Sequence, residues 1–308
     1  MRSRKIRFLP FALTLTVAIA GIAGGAVAPS VAAGPTRSTL ERVVTMQADA
    51  GIDVDEPGAV TATSIDSRLV PEVEAALRGK MGAWRFVPVR VDGQARKAHT
   101  RVRMVLAASK RGDGYDVRLD SVIFPRPDGG DTSSRFETRA ASYRLIKPEP
   151  PNYPTDMAMS GVSGIVLVAI RIGPDGSIVD ATPVQSLLLD VRGSNQALAA
   201  AIRTFERTAV VSARRIRVEV HPAHPGELPP PQTAKIAYQF LMSGITAPMP
   251  GEWRNVVRTP KQVIAWEKPS APGGQDEGAG ALDAGSGALI AENDDIHLQT
   301  RAAGAPLL

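Results

Sequence analysis

The sequence predicts an α+β protein made of two small domains, each an antiparallel sheet of three or four strands packed on one helix. Alternating apolar residues indicate short strands, and tight turns rich in Gly, Pro and Asp separate several of them. The order strand, turn, strand, amphipathic helix, strand occurs twice. The two occurrences lie about a hundred residues apart, which is typical of a duplicated domain rather than of a solenoid.

The first unit is predicted over residues 40–125, and its helix begins at Pro71. Proline suits the first helical position because the amide hydrogen that it lacks has no partner there. Acidic residues follow near the start of this helix and basic residues near its end, which matches the helix dipole. The other predicted elements are a weak strand at 44–52, a turn at 55–58, a return strand at 59–65, the motif Trp84-Arg85-Phe86-x-Pro88, and strands through Met104 and at 115–124.

The second unit is predicted over residues 143–250, and its pattern is clearer. A strand at 165–172 alternates branched apolar residues on one face, and Gly173-Pro174-Asp175-Gly176 is typical of a hairpin turn. A return strand is expected at 177–184. Ser194 is suited to cap a helix over 195–207, because its hydroxyl can accept from an amide of the first turn. The closing strand, predicted at 234–242, places Ile236, Tyr238 and Phe240 on one face.

The segments outside the two units have compositions typical of unstructured chain. Residues 126–142 are predicted to be a linker, since they are rich in Asp, Gly and Ser. Residues 251–308 are predicted to be a largely disordered tail rich in Gly, Ala and Pro. This tail is acidic, with seven acidic and two basic residues from Glu267 onward.

The N-terminal residues predict export from the cytoplasm. A cluster of basic residues is followed by an apolar stretch at 8–27 and by small residues that end at Ala33. This order is typical of a signal peptide, so residues 1–33 are predicted to be removed and the remainder to be periplasmic. The alternative is an uncleaved inner-membrane anchor formed by residues 8–27, since about 20 apolar residues can span a bilayer.

Charge and cysteine content exclude several classes of protein. The chain carries a net charge of +5, but four of its 36 basic residues and none of its 31 acidic ones lie in residues 1–33. The remainder has a net charge of only +1, which gives no support for a nucleic-acid partner. The absence of cysteine excludes disulfides, thiolate catalysis and iron–sulfur clusters.

Motif residues occur in both units. They are Pro151, Tyr153, Pro154, Gly161, Gly164, Val166, Val168 and Gly176 in the second unit, and Trp84, Phe86 and Pro88 in the first. These motifs resemble those of the C-terminal domain of TonB proteins: the second unit resembles the start of that family's pattern, and the first unit resembles its later phrase after the helix. Two features depart from the pattern: the second unit has no Trp-Arg-Phe after its helix, with Phe205-Glu206-Arg207 near that place, and residues 221–231 form an insertion.

The resemblance implies a non-enzymatic protein that binds a periplasmic or outer-membrane protein or peptide, in connection with outer-membrane transport. In this family the closing strand lies at a sheet edge and accepts a receptor segment as an added strand. The alternative at this position is an edge covered by the tail or by the other unit. A homodimer is a further possible assembly, and no cofactor is expected. The predicted partner-binding residues are Lys235, Ile236, Ala237, Tyr238, Gln239 and Phe240.

Other functions have weaker support in the sequence. A structural scaffold that recognises peptidoglycan is the main alternative. Hydrolysis is a third alternative, although no nucleophile motif is present, because the absence of a motif is weak evidence against an activity. His221, His224 and Glu227 lie in a Pro-rich loop without further ligands, so a metal site is not expected. Tyr153 and Trp84 are each predicted to pack in the interior rather than to contact a ligand.

Overall fold

A computed structural model describes residues 40–125, 135–137, 141–146, 150–224, 226–266 and 289–290, together with 297–300, 302, 304, 306 and 307. The predicted signal peptide, including the apolar stretch at 8–27, lies outside the described residues. In the part of the chain that is described, no helix has the length and apolar character needed to cross a membrane.

The structure combines antiparallel sheets with a few helices, which confirms the predicted α+β class. The helices are α1 (Pro71–Gly82), α2 (Thr155–Met159) and α3 (Asn195–Arg214). The strands are β1 (Glu41–Val54), β2 (Val60–Ile65), β3 (Arg90–Val91), β4 (Gln94–Ala95), β5 (Ala98–Arg111), β6 (Gly114–Ile123), β7 (Arg135–Glu137), β8 (Ala141–Ile146), β9 (Ser163–Ile172), β10 (Ile178–Leu189), β11 (Arg217–Pro222), β12 (Gln232–Phe240), β13 (Arg254–Arg258) and β14 (Leu289–Ile290).

The strands of both predicted units lie in one nine-stranded antiparallel sheet. Its order is β14-β12-β9-β10-β13-β1-β5-β6, with β2 also paired to β1. The short strand β13 joins the two halves, because it pairs with β1 on one side and with β10 on the other. The sequence predicts a disordered tail from residue 251, and the structure differs there. Val256 and Val257 are buried, but a five-residue strand is too short to show a clear periodicity.

The two halves of the sheet have the same topology. In the first half, β1 to β5, Ala50 of β1 lies between Ile65 of β2 and Val102 of β5. In the second half, β9 to β12, Val168 of β9 lies between Pro183 of β10 and Ile236 of β12. In each half a hairpin is therefore followed by a helix and by a strand that returns beside the first strand.

Both long helices pack on the same face of the sheet. Helix α1 buries Val73, Leu77 and Met81, and α3 buries Leu198, Ile202 and Phe205 among others. The opposite face carries a third apolar cluster that crosses both halves, from Val105 of β5 through Val256 of β13 to Ala237 of β12. Burial of this shared cluster stabilises the two halves as parts of one sheet.

The boundaries of α3 differ from the prediction at one end. The Ser194 hydroxyl accepts a hydrogen bond from the amide of Ala197 at 3.3 Å, which confirms the predicted cap. The helix continues to Arg214 rather than ending near residue 207. Ala209 and Ala213 extend the buried stripe by two further turns, and alanine is too small to mark that stripe strongly in the sequence.

A separate three-stranded sheet has the order β11-β8-β7. Strands β7 and β8 begin inside residues 126–142, where the sequence predicts a linker, and β11 extends into the predicted insertion at 221–231. Tyr143 and Leu145 of β8 are buried against the core beneath α3. Two alternating residues are a weak signal, so these strands were not recognisable from the pattern alone.

Candidate functional site

The closing strand β12 lies one strand in from the end of the sheet. It pairs with β9 along its whole length, from Gln232 to Phe240. On its other side β14 pairs with it antiparallel, with Lys235 opposite Ile290 and Ile236 opposite Leu289. The family resemblance implies that β12 is the outermost strand, and the structure differs at these two positions. No described strand continues beyond β14 along Ala237–Phe240.

The side chains of β12 alternate between two apolar environments. Ile236, Tyr238 and Phe240 face the core beneath α3, whereas Ala237 belongs to the apolar cluster on the opposite face. Burial raises the pKa of Tyr238, because the phenolate would lose its hydration. Four of the six predicted partner-binding residues are therefore buried within the protein, namely Ile236, Ala237, Tyr238 and Phe240.

The corresponding strand in the first half is fully interior. The outer side of β5 pairs with β6 from Arg103 to Arg111. The C-terminal residues then cover β6, because the amides of Gly304 and Leu307 donate to the carbonyls of Leu119 and Val117, both at 2.8 Å. The first half therefore shows the length over which a closing strand of this topology can pair with an antiparallel neighbour, namely Arg103–Arg111 of β5.

The motif residues before α2 and at the start of β9 fix the chain against α3. The Tyr153 ring meets the rings of Phe205 and Phe240 edge-on at 5.9 and 6.0 Å, and its hydroxyl donates to the carbonyl of Val162. At Gly164 an added Cβ would lie 2.8 Å from the carbonyl oxygen of Leu187. Pro151 and Pro154 flank Tyr153 in extended chain, and Gly161 has a positive φ of 64°. These residues position β9 and thereby β12.

The motif residues of the first half also lie in its interior. The Trp84 ring contacts Phe86 and Phe124 edge-on at 6.5 and 6.3 Å, and all three rings are buried. Pro88 follows in a partly exposed segment without regular structure. Leu298 pairs with Phe86 and packs in the same core, although the sequence predicts disorder there.

A close approach behind each hairpin turn identifies the equivalent residues of the two halves. The amide of Phe86 donates to the carbonyl of Gly58 at 2.8 Å, and the amide of Val218 donates to the carbonyl of Gly176 at 3.0 Å. A Cβ on Gly58 would lie 2.1 Å from the Phe86 oxygen, and one on Gly176 would lie 1.8 Å from the Val218 oxygen.

The second-half counterpart of Trp84-Arg85-Phe86 is therefore Ile216-Arg217-Val218. No counterpart is recognisable from the sequence, in which Phe205-Glu206-Arg207 stands near that place, but those residues are inside α3. A triplet of apolar, Arg and apolar residues directly after the helix was the available signal. The predicted helix end near residue 207 concealed it.

The histidines do not assemble a metal centre among the residues that the structure describes. His221 Nε2 lies 3.7 Å from Glu219 Oε2, and both side chains are substantially exposed. His99 Nδ1 lies 2.7 Å from Asp53 Oδ1 in another exposed pair, and Asp55 Oδ1 accepts from the turn amide of Ala59. Turn and surface pairing account for these side chains.

A buried ion cluster at the junction of the two halves was not recognised from the sequence. Arg258 of β13 is 6 % exposed and donates to both Asp120 oxygens at 2.6 and 2.8 Å and to Glu41 at 2.9 Å. Burial alone would raise the pKa of Asp120, but the hydrogen bonds and charge of Arg258 outweigh it and lower that pKa. The pKa of Glu41 is lowered in the same way, by Arg118 and Arg258 against the effect of burial. The cluster holds β1, β6 and β13 together.

Comparison of the chain with protein-family models, with curated proteins and with solved structures gave no match.

Proposed function

We propose that this chain is an exported, non-enzymatic protein-binding module that takes up an extended peptide segment of another envelope protein as a strand beside β12. The observation that supports the proposal is the tail strand β14, which pairs antiparallel with Lys235 and Ile236 and so shows that the outer side of β12 accepts an added strand. That pairing is the geometry that a partner strand would adopt. The same pairing is also what the alternative, an edge covered by the tail, predicts, so the experiment below must separate the two.

The first half supplies the extent of the expected contact. Val102 of β5 and Ile236 of β12 occupy equivalent positions, because they pair with the equivalent residues Ala50 and Val168. In the first half, β6 pairs with β5 from Arg103 onward. The equivalent stretch of β12 starts at Ala237, so a partner strand would extend along Ala237–Phe240 and continue or displace β14.

The resemblance to TonB C-terminal domains supports a link to outer-membrane transport. Tyr153 packs on Phe205 of α3 and Gly164 lies against the Leu187 carbonyl, so both motif residues help to position β9 behind β12. Specificity would come from residues flanking the strand, because main-chain hydrogen bonds are independent of sequence.

The test uses the absence of cysteine in the chain. A Gln239→Cys variant carrying a photoreactive maleimide is illuminated in the native cell envelope, and the attached segment is mapped by mass spectrometry. Lys110→Cys is the control, since it is exposed on the closing strand of the first half. We expect one extended segment to attach at position 239 and nothing specific at position 110.

Strand addition is then tested with the mapped segment as a synthetic peptide. Alternate amides of a strand point to opposite edges, so N-methyl groups on every second residue remove the hydrogen bonds of one edge only, each worth about 1 kcal/mol. Two peptides are compared. The peptide methylated on the amides that face β12 should not bind, and the peptide methylated on the other amides should bind normally. Equal effects of both sets exclude strand pairing, and co-sedimentation with purified cell-wall sacculi without an attached protein would favour the scaffold.

A further inference from the structure

A cleft at the C-terminal half of α3 carries an excess of positive charge. It has a volume of about 720 Å³ and lies between α3, the end of β8, the chain at 150–152 and the start of β11. Among the described residues, its lining includes Arg207, Arg215 and Arg217 and no acidic residue. We name it the arginine cleft.

Within the part of the chain that the structure describes, no carboxylate lies within ion-pair distance of the three guanidinium groups of the arginine cleft. Arg207 makes only a 3.5 Å contact with the Thr204 hydroxyl, and Arg217 only a 3.4 Å contact with the carbonyl of Ile216. Asp175 lies near Arg217, but its carboxylate accepts from the amide and hydroxyl of Ser177.

The comparison with α1 shows which of these charges the fold requires. The amides of Ala83 and Arg215 end their helices with the same bond to the carbonyl three residues back, at 3.2 and 3.1 Å. This alignment places Arg217 opposite Arg85, which makes the same contact with its preceding carbonyl. The same alignment places Arg207 opposite Ala75 and Arg215 opposite Ala83. The fold therefore uses an arginine after the helix in both halves, while Arg207 and Arg215 are additions of the second half.

Apolar side chains beside the arginines define the kind of ligand. Ile146 is 48 % exposed and Val211 is 50 % exposed, and both line the cleft. Half-exposed aliphatic groups next to unpaired guanidinium groups suit a ligand that carries both carboxylates and aliphatic side chains. Guanidinium groups bind carboxylates through paired hydrogen bonds, which favours this chemistry.

We infer that the arginine cleft binds an acidic peptide, with its carboxylates on Arg207 and Arg215 and an aliphatic side chain against Val211 and Ile146. A concave site suits a peptide better than a membrane surface, because a cleft contacts an extended chain on several sides, whereas a planar bilayer surface meets mainly its rim. The inference is independent of strand addition at β12.

The test measures fluorescence anisotropy of a labelled octapeptide of alternating Asp and Leu, with the full chain. Arg207→Ala combined with Arg215→Ala gives the second half the alanines that stand at the equivalent positions of the first half, Ala75 and Ala83. Arg203→Ala combined with Arg214→Ala is the matched control, since both arginines are exposed on α3 and lie outside the cleft. We expect the cleft variant to lose about tenfold or more in affinity and the control about twofold, because close charge pairs act locally.

Four results would overturn the inference. Equal losses in both double variants would show that net charge alone attracts the peptide. Equal binding of an octapeptide of alternating Lys and Leu would exclude charge recognition, and absence of binding at low salt would exclude the site. Vesicles containing an anionic phospholipid form a second arm, and their tighter binding with the same loss in the cleft variant would assign the cleft to lipid. A Gln239 cross-link that persists in the cleft variant would leave the proposed function standing.

Discussion

The two halves of the sheet share one topology but differ in what lies beside their closing strands. In the first half a ten-residue strand, β6, pairs with β5, and C-terminal residues cover β6 in turn. In the second half a two-residue strand, β14, pairs with β12. Among the described residues, the same unit is thus completed as an interior element in one half and has a short neighbour in the other. Under the proposed function, binding belongs to the second half, while the first half supports the sheet.

The turn glycines give the largest expected effect and test whether the halves are built alike. Gly176→Ala should cost roughly 4 kcal/mol of unfolding free energy, because its Cβ would meet the Val218 carbonyl oxygen and its φ is positive. Gly93→Ala is the control, since Gly93 has the same φ of 78° with nothing within 4 Å and should cost only about 1 kcal/mol. Gly58→Ala should match Gly176→Ala in urea unfolding. Similar costs at positions 93 and 176 would contradict the close approach.

The ion cluster tests whether the two halves depend on each other. Arg258→Met should lower the free energy of unfolding by about 3 kcal/mol, since Asp120 is only 14 % exposed and would lose both hydrogen bonds from Arg258, keeping the longer 3.7 Å ion pair with Arg118. Adding Asp120→Asn should recover part of this loss, because the poorly compensated charge is removed. Urea unfolding of both variants checks this. A loss below about 0.5 kcal/mol for Arg258→Met would show that the cluster behaves as a surface pair.

The pH dependence of the same variant sharpens this test. The pKa values of Asp120 and Glu41 are lowered in the folded protein, so their stabilising effect is fully present above their unfolded values of about 4. It is lost as the pH falls through the folded values. The stability difference between wild type and Arg258→Met should therefore be largest at neutral pH and should shrink below about pH 4. A difference that stays constant down to acidic pH would contradict the assignment.

Tyr153 tests a contact of the second half. Tyr153→Phe keeps the edge-on ring contacts with Phe205 and Phe240 but removes the hydroxyl that donates to Val162. We expect a loss of about 1 kcal/mol in unfolding free energy and little change in peptide binding. A large loss of binding without loss of stability would assign Tyr153 to the partner interface instead.

The smallest effect is expected from loosening β14. Leu289→Pro combined with Ile290→Pro removes both amide hydrogens of this strand and should raise partner affinity about fivefold, the equivalent of one hydrogen bond. The corresponding Ala substitutions keep the backbone and should leave affinity unchanged. Weaker binding in the proline variant would mean that β14 helps to hold the partner.

The sequence predicted the long, strongly patterned elements well. The strand at 165–172, the turn that follows it, the helix start at Pro71 and the cap at Ser194 are all confirmed. Each of these depends on local chemistry, such as alternation, proline geometry or a capping hydroxyl.

The elements that the sequence did not reveal depend on contacts between distant residues. Strand β13 is five residues long, and its burial depends on β1 and β10, which are far away in the chain. Arg258 also depends on residues far away in the chain, because its partners are Glu41 and Asp120. Likewise, Arg207 and Arg215 are ordinary surface residues in the sequence, and only the fold places them around a common cleft.

The most direct measurement is hydrogen exchange of the full chain with and without the peptide mapped through position 239. We predict that the peptide slows exchange of amides within Ala237–Phe240 and leaves Arg103–Arg111 of β5 unchanged. Protection of both closing strands, or of α3 without β12, would contradict the claim that a partner strand adds beside β12.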